Sequence, residues 1–224
     1  MAEFRDGKMK IDSKRSALEA LLDISIVAML TVLFAFNKQV EGENYIYYIT
    51  FFAVIGLSFL VSILGRATVS VKLPTIWYGV FIVLCALSSV WALYDPNLSL
   101  RYISRMVQVL FICFCITLYI KTREDFERFT MLFTAAVMIM IFSVFVRTPY
   151  ALWFSGFFGR INNENVTGNN INTLAYICVV AVAISFCKAY YYKKRAYYLC
   201  TAFELLYVVL SSSRKALFIV AFLL

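Results

Sequence analysis

Arg101 and Arg105 stand four residues apart, so on a helix they share one face. Further cations border apolar runs. Arg147 follows the run 129–146, and Arg214 with Lys215 precedes the run 216–224. Arg160 lies in a segment that also carries Gly156, Gly159 and Gly168. A guanidinium fork matches phosphate oxygens with two parallel hydrogen bonds. The acids near these positions are Asp95 and Glu164, too few to neutralise the set, so a phosphate-bearing ligand is its natural complement. Snorkelling of the same side chains to lipid headgroups is the plainer alternative. The segment 147–170 is dense in amides, among them Asn162, Asn163, Asn165, Asn169 and Asn170, with Asn172 just beyond. Amides suit sugar hydroxyls, and Asn170 or Asn172 equally suits the N-cap of the helix that follows. Two carboxylates, Asp23 and Glu204, fall inside apolar runs. A carboxylate at that depth is a site candidate, or else pairs with a polar residue of a neighbouring helix.

Other chemistries drop out. The chain has no histidine, which removes imidazole acid–base catalysis and imidazole metal ligation from these residues. The cysteines at 85, 113, 115, 178, 187 and 200 all lie in apolar runs, where they read as small buried side chains rather than a disulfide framework. No metal site and no cofactor are expected. The segment 156–160 lacks the spacing of a phosphate-binding glycine loop.

The elements that must hold these residues are membrane helices. Apolar residues make up 62% of the 224 and charged ones 15%, where soluble domains run near 45–50% and 25%. That balance excludes a soluble enzyme, a disordered chain and a nucleic-acid-binding domain. About 20 apolar residues cross a bilayer. Runs of that order are expected near 18–36, 45–64, 74–93, 99–120, 129–146, 171–187 and 196–210. The expected fold is an all-α polytopic transmembrane helix bundle over 17–224, with about seven complete spans and a truncated eighth from about 213. The last apolar run, 216–224, covers only about 14 Å, so the chain reads as the N-terminal part of something longer. Segment 1–16 is polar and basic and reads as a cytoplasmic extension rather than a cleavable signal. With that end inside, about two thirds of the Lys and Arg fall on the cytoplasmic side, and every cytoplasmic connection is basic. Arg101, Arg105, Arg147, Arg160, Arg214 and Lys215 then collect at the outer surface, beside the outer loop 147–170.

In this order, three segments resemble the O-antigen ligase / oligosaccharide repeat-unit polymerase superfamily of bacterial envelopes. Ser88-Ser89-Val90-Trp91, followed by Asp95-Pro96 and Ser99, is similar to its S-x-x-W…D-P…S segment. Gly159-Arg160, then Asn170-Ile171-Asn172-Thr173-Leu174-Ala175, resembles its glycine/arginine loop and N-P-N helix start, with Ile171 where the family has Pro. Ser213-Arg214-Lys215-Ala216 is similar to its S-R-x-A turn. The resemblance implies a metal-independent glycosyltransferase of the bacterial inner membrane. Such an enzyme would join a glycan carried on undecaprenyl pyrophosphate to a glycan or lipid acceptor. Arg214 would then sit near the donor pyrophosphate, with Arg160, Arg101, Arg105, Asn170 and Asn172 as further substrate-binding candidates. The family's proposed catalytic histidine belongs to a later outer loop, beyond residue 224, so these residues alone would be inactive. A transporter or flippase for an anionic lipid-linked glycan, with the arginines lining its pathway, is the alternative. So is an inactive fragment.

Overall fold

The computed structural model describes residues 17–36, 45–64, 73–89, 96–153, 171–211 and 213–223. Among these the chain forms eight α-helices and one 3-10 turn, with no strand. The helices are α1 (Ala17–Ala35), α2 (Tyr45–Leu64), α3 (Leu73–Ser89), α4 (Pro96–Tyr119), α5 (Arg123–Arg147), α6 (Ile171–Tyr192), α7 (Ala196–Leu210) and α8 (Arg214–Leu223). The chain is an all-α bundle, as its composition requires. Segment 1–16, most of the loop after Arg147, residues 90–93 of the expected third span and Leu224 lie outside the described residues.

Among the described residues, five helices are long and apolar enough to cross a bilayer: α1, α2, α5, the Tyr102–Tyr119 part of α4, and the Asn172–Tyr192 part of α6. α3 and α7 are apolar but shorter. The 15 residues of α7 rise about 22 Å, less than a hydrocarbon core of about 30 Å.

The outside of the bundle is itself apolar. Phe142 is 70% exposed and Phe222 77% exposed, and Phe52, Trp77 and Ile24 also stand outward. A water-soluble monomer does not present such a surface, whereas lipid covers it at no cost. The molecule is a multi-pass membrane protein. Its inside is built to let backbones approach: Ala35, Ala136, Ala175, Ala181, Ala189 and Ala216 are fully buried. Small residues serve this role where dispersion, rather than water exclusion, drives helix association.

Helix pairing follows a simple order. α3 and α4 pack together, α2 links α4 to α1, and α1 packs on α5. α5 then meets α6 and α7, and α8 closes against α6 and α7. Side-chain bonds fix which helix ends lie together. Arg147 reaches the Ala35 carbonyl and Ser213 bonds Asn172, which gathers the ends of α1 and α5 with the starts of α6 and α8. We call this the Arg147 end. At the opposite, Lys188 end, Tyr119 donates to Asp23 at 2.6 Å, and the start of α5 meets the end of α6.

Two boundaries differ from the sequence expectation. α5 begins at Arg123, not near Phe129, because Thr122 and Asp125 form a capping box that satisfies both first-turn N–H groups. α6 continues to Tyr192, beyond Cys187. Its last turn is held by Glu127, whose carboxylate accepts from Tyr192 Oη at 2.8 Å and whose carbonyl accepts from Lys188 Nζ at 2.9 Å.

After Tyr192 the chain reverses within three residues, and Lys193 adopts φ 51°. A Cβ in that left-handed region costs roughly 1 kcal/mol that glycine avoids. Lys193→Gly is therefore expected to stabilise the α6–α7 hairpin by about 0.5–1 kcal/mol. Equilibrium unfolding in mixed detergent micelles measures it, and a loss of stability would contradict the assigned turn.

Candidate functional site

Three observations define what the Arg147 end offers. The first is the start of α8. Ser213 is buried and donates from Oγ to Asn172 Oδ1 at 2.9 Å, tying the start of α8 to the first turn of α6. Ser211 adds a second pin: its Oγ donates to the Val208 carbonyl and accepts weakly from the Ser213 N–H. These bonds fix the turn between α7 and α8. Arg214 and Lys215 follow directly, both exposed, at the first two positions of α8.

The second is an apolar groove between α5 and α7. Its walls are Met138, Ile141, Phe142, Phe145, Trp153, Phe203, Leu206 and Leu210, and it encloses about 510 Å3. Phe142, Phe203 and Leu206 are largely exposed, so the groove opens on the lipid-facing side. Trp153 covers its Arg147-end mouth. The indole stacks edge-on against Phe145 at 5.4 Å, and its N–H donates to the Thr148 carbonyl at 3.1 Å. Leu210, at the same mouth, is four residues from Arg214.

The third is the placement of the remaining cations. Arg105 is exposed on α4. Tyr47, in the first turn of α2, bonds Gln108 of α4, so Arg105 lies level with the start of α2 at the Arg147 end. Arg101 is one turn nearer the start of α4; nothing is described of its side chain. Arg147 is committed elsewhere. Its guanidinium lies 4.0 Å over the Phe36 ring and donates to the Ala35 carbonyl at 3.4 Å, which closes the end of α1. Arg160 and Asn170 lie outside the described residues. Arg105, Arg147 and Arg214 thus share one end of the bundle but not one flank. Arg105 stands on the α3–α4 side and Arg214 on the α6–α7–α8 side, with α2, α1 and α5 between them in packing order.

The two buried acids differ. Asp23 is paired with Tyr119 of α4, so it joins helices at the Lys188 end. Glu204 is fully buried in α7, where its Oε1 accepts from Ser185 Oγ of α6 at 3.1 Å and its Oε2 has no hydrogen-bond partner. Ser185, itself fully buried, is a partner that sequence spacing does not reveal. No group of three or more metal-ligating side chains occurs among the described residues.

Comparisons with protein-family models, with curated proteins and with solved structures match nothing to this chain.

The Ser185–Glu204 bond joins the most intimately packed helix pair of the bundle. Interhelical hydrogen bonds inside membranes average about 0.6 kcal/mol and reach about 1.7. A double-mutant cycle with Ser185→Ala and Glu204→Leu, read by unfolding in mixed micelles, is expected to give a coupling in that range. Zero coupling would mean that the bond holds nothing together.

Proposed function

We propose that the chain is the lipid-donor-binding part of a bacterial envelope glycosyltransferase of the O-antigen ligase / repeat-unit polymerase type. In this reading it sits in the bacterial inner membrane with its N-terminus cytoplasmic and its Arg147 end facing outward. The donor is a glycan on undecaprenyl pyrophosphate, and the acceptor is a glycan or a lipid.

One juxtaposition carries the reading. A long apolar groove open to lipid ends beside a pinned turn that presents Arg214 and Lys215. An amphiphile with an extended hydrocarbon tail and a diphosphate head complements both halves at once. The tail lies along Phe142, Phe203 and Leu206, and the diphosphate meets the guanidinium. Asn172, next to Ser213, belongs to the same patch and can serve either the turn or a sugar hydroxyl. Arg160 is proposed to join from the adjoining loop. Arg101 and Arg105, on the other flank, are proposed as a second anionic contact at the same surface.

The chemistry proposed is displacement at the sugar's anomeric carbon by an acceptor hydroxyl. Negative charge grows on the departing diphosphate, and fixed cations stabilise it more in the transition state than in the ground state. These residues supply the leaving-group side of that reaction. The base that takes the acceptor's proton is not among those named here, and the chain has no histidine.

Transport of the same lipid-linked anion is the competing reading, and the fully buried Glu204, with one unpartnered oxygen, is the observation in its favour. Replacement at 214 separates the two. Arg214→Ala is expected to lower glycan ligation or polymerisation at least a hundredfold, about 2.7 kcal/mol of lost transition-state stabilisation. Arg214→Lys should recover little, since an ammonium offers no fork. The assay uses the full-length protein that carries these residues and follows transfer of labelled glycan from its polyprenyl carrier in membrane vesicles, with outward appearance of the carrier measured in parallel. Unchanged transfer in Arg214→Ala removes Arg214 from the site. Loss of carrier appearance with intact transfer of outward-facing donor favours transport.

A further inference from the structure

A polar cavity at the Lys188 end is used by nothing above. It encloses about 180 Å3 among α1, α2, the end of α4 and the start of α5. At roughly 30 Å3 per water, that is room for about six waters, far too little for an oligosaccharide but ample for a small headgroup. Its mouth carries two cations, Lys121 and Arg128, and two acids, Glu19 and Asp125. Deeper in, the hydroxyls of Tyr119, Ser62 and Ser58 share the walls with Leu22, Val61 and Leu118.

The charges do not simply cancel. Asp125 Oδ2 accepts from the backbone N–H groups of Lys121 and Thr122, so it serves the start of α5. Glu19 has a partner of its own. Neither the Lys121 ammonium nor the Arg128 guanidinium has a hydrogen-bonded or ion-paired side-chain partner among the described residues, so the mouth, formally neutral with Glu19 and Asp125, still holds two cationic donors open to a ligand.

The inside supplies an independent sign. Ser58 is buried at 3% exposure, lines the cavity, and its Oγ has no nitrogen or oxygen partner. Beside it is the thiol of Cys115, a weak hydrogen-bonding group. A buried hydroxyl left without a good partner costs about 1–3 kcal/mol unless something fills the space it faces. Ser62 is equally buried one turn nearer the mouth. The hydroxyls therefore form a short ladder leading inward from two cations.

We propose that this cavity binds a hydroxyl-bearing phosphodiester headgroup, of the glycerophosphate kind, from a lipid of the adjoining leaflet. The phosphate sits between Lys121 and Arg128. The hydroxylated arm runs down past Ser62 to Ser58, donating to and accepting from both. The mouth is made by helix ends, which is the depth of lipid headgroups, and acyl chains would leave along the apolar flank of α2. The site is separate from the groove and from Arg214, so it stands or falls independently of the proposed function.

Native mass spectrometry of the purified chain in detergent tests it, titrating dioleoyl phosphatidylglycerol against phosphatidylcholine, diacylglycerol and free glycerol 1-phosphate. Phosphatidylglycerol is expected to bind at least about tenfold tighter than phosphatidylcholine, and diacylglycerol not to saturate. Lys121→Gln or Arg128→Gln should each weaken it about tenfold, the loss of one charged hydrogen bond, while Lys121→Arg retains binding. Ser58→Leu, which fills the cavity, should abolish the preference for phosphatidylglycerol over phosphatidylcholine, with helix content checked by circular dichroism. Glycerol 1-phosphate binding as tightly as the lipid would keep the headgroup chemistry and overturn the lipid as its source. Equal binding of all three lipids, or variants indistinguishable from the parent, would overturn the proposal.

Discussion

Hydrocarbon offers no hydrogen bonds, so every backbone N–H and C=O between the two membrane surfaces must find its partner within the chain. The helical architecture follows from that constraint, and so does the distribution of polar side chains. Those within the bundle either bond across a helix pair, as Tyr119 with Asp23 and Ser185 with Glu204, or bond back to their own helix, as Thr130 and Thr134 do. The charged groups collect at the two ends, where water and headgroups take over. Exceptions to this sorting therefore carry information. They are the second carboxylate oxygen of Glu204 and the hydroxyls of Thr31 and Ser58, none with a nitrogen or oxygen partner.

The two ends are finished differently. At the Lys188 end, side chains close the helices: a capping box at Thr122 and Asp125, and a cluster in which Glu127 gathers Arg123, Tyr192 and Lys188. At the Arg147 end, Arg147 and Ser213 do the closing, while Arg214 and Lys215 stand outward. Cations that close helices and cations that remain available to a ligand are distinct sets. That separation leaves Arg214 open to the ligand proposed above, while Arg147 has a place in the fold.

Much of this was legible in the sequence. Apolar runs located eight helices, and alternation of direction placed Arg105, Arg147 and Arg214 at one end. The starts and stops were less legible. Arg123, Glu124, Asp125, Glu127 and Arg128 look like a solvated loop when counted as charges, yet Thr-x-x-Asp at 122–125 is a helix-start signal and moves α5 back by more than a turn. Lateral position was not legible at all. Whether Arg105 and Arg214 share a flank depends on which helix packs on which, and Ala135 beside Ala136 gives no hint which of the two faces the bundle interior. The partner of Glu204 was hidden for the same reason, since Ser185 and Glu204 meet only once α6 and α7 are packed. The cavity around Ser58 joins four elements and leaves no local signature in any of them.

In the proposed function, the groove between α5 and α7 and the cationic start of α8 hold two halves of one amphiphile. A photoreactive benzoylphenylalanine at Leu206, irradiated in membranes containing radiolabelled undecaprenyl pyrophosphate, tests it directly. Covalent capture is expected at position 206 and should fall sharply in Arg214→Ala, with little capture at Leu84 on α3. Equal labelling at both positions, or capture indifferent to Arg214, would contradict it.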